Sequence, residues 1–136
     1  MTKVSTLEWV LVGTFTLLIC VLLKISKPLA KSSYVEVKAL VTAYCPCKKC
    51  CGKYADGYTA TGRPAYTRGI AVDPKRIPYG TKIFVPGYGL AEADDCGAAM
   101  KKSKMLHIDV RFPAHERAVK WGRKILKIRI YKRLTH

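Results

Sequence analysis

Lys124-Ile125-Leu126-Lys127-Ile128-Arg129-Ile130-Tyr131 alternates apolar and basic side chains with a period of two. Ile128 and Ile130 fall on one side, and Lys127 and Arg129 on the other. That is the pattern of a half-buried strand, not of a helix. Upstream, Ala114 to Gly122 reads as one short helix that Gly122 stops. Before it, short β-branched runs recur between Gly and Pro breaks: Met105-Leu106-His107-Ile108-Asp109-Val110, Lys82-Ile83-Phe84-Val85-Pro86 and Gly69-Ile70-Ala71-Val72. Val35, Val37, Leu40 and Val41 open the first such stretch. Several short strands at this spacing predict a small barrel or sandwich, mostly β with one short helix.

The chain has 136 residues and a net charge of +16, from 25 Lys and Arg against 9 Asp and Glu. That length suits one modest domain with an appendage. We divide it into an N-terminal segment with linker, residues 1–33, and a domain over residues 34–136. A field of this sign draws polyanions: nucleic acid, anionic lipid or anionic wall polymers.

Trp9 to Leu23 contains no charged residue, with Glu8 and Lys24 at its ends. As a helix it rises about 22 Å, against about 30 Å of hydrocarbon core. Leu7 and a snorkelling Lys24 extend it, so residues 7–24 are expected to meet the membrane as a single uncleaved signal anchor. The length also suits a signal-peptide core, but no cleavage site stands out. Pro28 to Ser33 reads as a linker. Lys24, Lys27 and Lys31 lie C-terminal to the anchor, so charge bias alone would keep the domain cytoplasmic.

Six cysteines occur. Cys20 lies in the apolar run, and Cys45, Cys47, Cys50, Cys51 and Cys96 in the domain. Cys47-x-x-Cys50 has zinc-knuckle spacing, with Cys45, Cys51 or Cys96 available to complete four ligands. A tight cluster outside the membrane more often reads as disulfides. Both readings stay open, and five cysteines cannot all pair. His107 and His115 are candidate bases for a thiol nucleophile, and more often such residues are structural.

Acids are scarce in so basic a domain, which singles out Asp73, Asp95 and Asp109. Taken one at a time, each has an ordinary reading: Asp73 before Pro74 as a turn former, Asp109 as a paired surface carboxylate. Buried, such a carboxyl shifts its pKa upward, toward general-acid range. Asp94 beside Asp95 leaves open which of the two faces a groove.

The surrounding motifs run in order: Thr42-Ala43-Tyr44-Cys45-Pro46-Cys47, Thr59-Ala60-Thr61-Gly62, Gly69-Ile70-Ala71-Val72-Asp73-Pro74, Ile77-Pro78-Tyr79-Gly80-Thr81-Lys82, Val85-Pro86-Gly87-Tyr88-Gly89, Asp95-Cys96-Gly97-Ala98-Ala99-Met100-Lys101 and Ile108-Asp109-Val110. From about Val41 to Tyr131 the chain resembles the 3D domain family, named for three aspartates. Its relatives include the C-terminal part of MltA-type lytic transglycosylases. The resemblance implies a six-stranded double-psi β-barrel crossed by a substrate groove. It also implies a peptidoglycan lytic transglycosylase, which cleaves the MurNAc–GlcNAc bond and leaves 1,6-anhydro-MurNAc, with no cofactor.

By that resemblance Asp95 is the acid/base, Asp109 polarises it and Asp73 organises the site. Tyr44, Thr59, Thr61 and Lys101 bind substrate. The partners implied are glycan strands and anionic wall polymers, and the location is the outer side of the membrane, against the charge bias. Where the family commonly has Thr-Gly-Gly-Ala-Ile-Lys-Gly, this chain has Cys96-Gly97-Ala98-Ala99-Met100-Lys101-Lys102, and the stretch between Asp95 and Asp109 is lengthened. The alternative is a non-catalytic wall-binding module, since a fold does not determine chemistry. A nucleic-acid-binding protein ranks third. Arg111 to Arg133 holds nine Lys and Arg against Glu116, an electrostatic footprint that a solvated basic face explains as well.

Overall fold

The structure is a computed structural model that describes residues 33–132. The expected signal anchor, and the linker up to residue 32, lie outside the described residues. Among the described residues no helix is long and apolar enough to cross a membrane.

Six strands form one sheet: β1 (Tyr34–Tyr44), β2 (Ile70–Val72), β3 (Lys82–Val85), β4 (Gly89–Cys96), β5 (His107–Arg111) and β6 (Lys124–Tyr131). Their order is β1-β5-β2-β4-β3-β6, and β6 pairs back onto β1, so the sheet closes into a ring. The β1–β5 and β2–β4 pairs are parallel and the others antiparallel. Closure removes the exposed strand edges that would otherwise invite pairing with other chains.

The expected alternation in β6 is present. Ile128 is fully buried, while Ile125 is 62 % exposed. The interior joins Ala39, Val41, Ile70, Val72, Ile83, Val85, Ile108, Val110 and Ile128. Most are β-branched, which favours strands because the branched side chain packs well on a pleated surface. Tyr88, Phe112 and Trp121 cap one side of this core with ring centroids 5.3–6.2 Å apart.

The expected single helix corresponds to α3 (His115–Trp121). Two more short helices accompany it, α1 (Lys48–Cys51) and α2 (Ala98–Lys102), with a 3-10 turn at Gly52–Tyr54. The count of one helix is thereby corrected. Both additional helices are a turn or so long, too short to show a helical period. β4 also went unanticipated: Gly-Leu-Ala-Glu-Ala-Asp-Asp-Cys has few β-branched residues, and pairing on both sides makes it a strand.

Between β3 and β4 the chain turns through Gly87 and Gly89, both at positive φ, which glycine adopts without a Cβ penalty. The turn sends Tyr88 inward. Its hydroxyl lies 3.0 Å from the Gly69 carbonyl and 2.7 Å from the Arg111 carbonyl. This ties the turn to the entry of β2 and the end of β5.

Candidate functional site

The strand register builds a row of side chains across the sheet. Thr42 on β1 faces Asp109 on β5, Asp109 faces Ala71 on β2, and Ala71 faces Asp95 on β4. Directly paired residues put their side chains on one face. Asp95 and Asp109 therefore flank a methyl group, with their Cα atoms about two strand spacings apart, roughly 9–10 Å.

A bulge decides which of the two adjacent aspartates joins that row. The β2–β4 register slips between Ile70 and Ala71, from Ala93 to Asp95, so Asp94 is the extra residue. Asp94 is 1 % exposed and meets Arg111, itself 1 % exposed, at 2.7 Å. Arg111 also donates from Nε to the Thr67 carbonyl at 2.9 Å and from Nη1 to the Tyr44 hydroxyl at 3.0 Å. Gly69 makes space for this pair, because a Cβ there would run into Arg111 Nη2 and Asp94 Oδ1.

Asp95 is held from several sides. Tyr44 donates its hydroxyl to Oδ2 at 2.5 Å. The Ala60 and Cys96 N–H groups donate to Oδ1 at 3.0 and 2.8 Å. Arg111 Nη1 stands 3.7 Å from Oδ2. Burial and the bond to Asp95 push the Tyr44 phenol well above its ordinary range, so it stays a donor. Asp109 is half-buried, and its Oδ1 accepts from Thr42 at 3.0 Å. Burial raises its carboxyl to about 6; the Thr42 bond opposes that rise and the charge of Asp95 adds to it.

The other expected site residues separate. Thr61 donates to the Asp94 carbonyl at 2.8 Å and lies 3.1 Å from the Thr59 hydroxyl, which accepts from Arg63 N–H at 3.1 Å. These hydroxyls latch the 58–64 loop over β4 beside Asp95. Lys101 is exposed on α2. Asp73 accepts from Lys75 N–H at 3.1 Å through its carboxylate and from Arg76 and Ile77 N–H at 2.9 Å through its carbonyl. Those are the bonds of a turn former. Thr42, Ala71 and Arg111 were missed in the sequence. For Arg111 a signal existed: it follows Asp109 by two in a strand and so shares its face.

All five domain cysteines are free thiols, and no disulfide joins them among the described residues. Three converge on His115, the first residue of α3. Nδ1 lies 3.5, 3.6 and 3.5 Å from the sulfurs of Cys45, Cys47 and Cys50. Cys45 lies 2.8 Å from Cys47 and 3.5 Å from Cys50. The Cys45 thiol donating to it lowers Cys47 to about 6, and burial pushes Cys45 up to about 12. Cys51 turns away, toward the Cys45 carbonyl at 3.3 Å. Burial pushes its thiol up to about 11, with the charges of Asp95 and Asp109 contributing. Cys96 meets Tyr79 instead.

Closed sheet, paired aspartates and motif order converge on one class. Residues 68–132, the stretch that holds Asp73, Asp95 and Asp109, match the 3D domain family. Over 90 residues, 65 % of the chain, it is 46 % identical to YabE of Bacillus subtilis (strain 168), a protein named for a proposed role in cell wall shaping. Over 78 residues, 54 % of the chain, it is 42 % identical to the cell wall-binding protein YocH of the same organism. The matches span only 21 % and 26 % of those two proteins' lengths.

Proposed function

We propose that this domain acts on peptidoglycan as a lytic transglycosylase, placed on the outer side of the membrane. The observation that carries the reading is the pair flanking Ala71: Asp109, with its carboxyl raised to about 6, and Asp95, with both oxygens engaged as acceptors. A general acid works best with a pKa near the operating pH. We assign that role to Asp109, where the motif comparison alone pointed to Asp95. Asp109 protonates the glycosidic oxygen as the bond to C1 breaks. The carboxylate left behind takes the proton of the muramoyl 6-hydroxyl, whose oxygen closes the 1,6-anhydro ring on C1. No water is consumed. Asp95, held by Tyr44 and two backbone N–H groups, stabilises the oxocarbenium-like state electrostatically. Asp73 shapes the rim through its turn, and Thr59 and Thr61 fix the loop beside Asp95. The double-psi description of the ring belongs to this same reading.

A second reading, a wall-binding module, is favoured by the likeness to the cell wall-binding protein YocH and by the +16 charge, which suits anionic wall polymers. Release of soluble muropeptides from purified sacculi separates the two. Asp109→Asn should lower release by about 10²–10⁴-fold, the usual worth of a general acid, while sacculus binding persists. Asp95→Asn should also impair release. Wild-type chain that binds sacculi and releases nothing would leave the binding reading standing.

A further inference from the structure

Cys45, Cys47, Cys50 and His115 place four ligand atoms within 4.8 Å of one another. They come from two parts of the chain: the turn that leaves β1, and the first residue of α3. The turn is tight, with Cys50 and Cys51 N–H groups donating to the Cys47 carbonyl at 3.1 and 2.9 Å. This local bonding brings the Cys47 and Cys50 side chains together, and the parallel β1–β5 pairing brings α3 to them.

We propose that these residues form a structural zinc site, with Cys45, Cys47 and Cys50 as thiolates and His115 bound through Nδ1. Three sulfurs and one imidazole are a soft donor set that selects zinc over magnesium or calcium. Tetrahedral zinc has Zn–S of about 2.3 Å and Zn–N of about 2.0–2.1 Å, which makes each S–N edge roughly 3.6 Å. The three edges from His115 Nδ1 measure 3.5, 3.6 and 3.5 Å. The Cys45–Cys50 edge, 3.5 Å, is close to the roughly 3.8 Å expected between two sulfurs. The Cys45–Cys47 edge, 2.8 Å, would open as the metal enters. Binding displaces the thiol protons to solvent. Four protein ligands leave no open position, so the ion is structural and not a Lewis acid for the reaction.

The position gives the ion a task. Tyr44, which donates to Asp95, precedes the first ligand directly, and Cys51, which feels both Asp95 and Asp109, follows the last cysteine ligand. Zinc would clamp this rim of the row to α3. The proposal stands apart from the transglycosylase reading, since a binding module would need the same clamp.

The test uses the full chain, purified reduced with zinc present. Elemental analysis should find one zinc per chain. Cobalt(II) exchanged for zinc should show thiolate-to-metal charge transfer and tetrahedral d–d bands. In the wild-type chain Cys45, Cys47 and Cys50 should resist alkylation until a chelator is added. Cys96→Ser and Cys51→Ser should keep the metal. His115→Ala and Cys50→Ser should weaken binding by more than the roughly 10–100-fold that loss of an outer partner costs. A reduced wild-type chain without zinc, a cobalt form without charge transfer, or His115→Ala binding like wild type would overturn the site. So would a disulfide among the three cysteines in the protein isolated from cells without reductant.

Discussion

Asp94 and Asp95 are neighbours in the chain and opposites in environment. One bulge buries Asp94 against Arg111 and leaves Asp95 beside Ala71. The sequence shows both acids and cannot say which one faces outward, because a bulge has no compositional signature here. Asp109 was legible as a strand acid; the shift of its carboxyl was not, since it arises from burial within the folded sheet. Its carboxyl is raised from 3.8 to about 6 in the fold. That contribution to stability is complete below pH 3.8 and is lost as the pH rises through about 6. Asp109→Asn, which lacks the ionisation, should therefore be more stable than wild type at pH 7–8, by on the order of 2–3 kcal/mol. The difference should vanish below about pH 4. Urea unfolding across that range checks it, and an equal ΔG at pH 8 would refute it. Gly69→Ala should do the reverse of a mild change. Its methyl group must displace the Arg111–Asp94 pair, and breaking such a pair costs about 3–5 kcal/mol. The same unfolding experiment reads it, and a loss under 1 kcal/mol would contradict the contact.

Strand by strand, legibility followed side-chain shape. β6, β5, β3 and β2 announce themselves through β-branched runs and alternation. β4 does not, because its sequence is acidic and small, and only the pairing with β2 and β3 makes it a strand. α1 and α2 were hidden by brevity. The alternation in β6 makes a direct prediction. Ile128→Ala, at a fully buried position, should cost about 2–4 kcal/mol. Ile125→Ala, 62 % exposed in the same strand, should stay within about 0.5 kcal/mol. Thermal or urea denaturation of the two variants side by side measures the contrast. Equal costs would mean that the register of β6 is wrong.

For the molecule as a whole, composition reached a basic, β-rich domain. The crossing order of the strands was beyond it, because parallel pairs such as β1–β5 join residues far apart in the chain. The cysteine spacing narrowed the cluster to disulfide or metal, and His115, which joins it across the fold, had no signal in the spacing. The proposed function comes down to one chemical outcome: glycan cleavage by intramolecular ring closure with Asp109 as the acid. Mass spectrometry of purified sacculi after incubation with the full chain measures it. Wild type should release muropeptides ending in 1,6-anhydro-MurNAc, and Asp109→Asn about 10²–10⁴-fold fewer, although that variant still sediments with sacculi. Reducing MurNAc ends in place of anhydro ends, or anhydro products undiminished in Asp109→Asn, would contradict it.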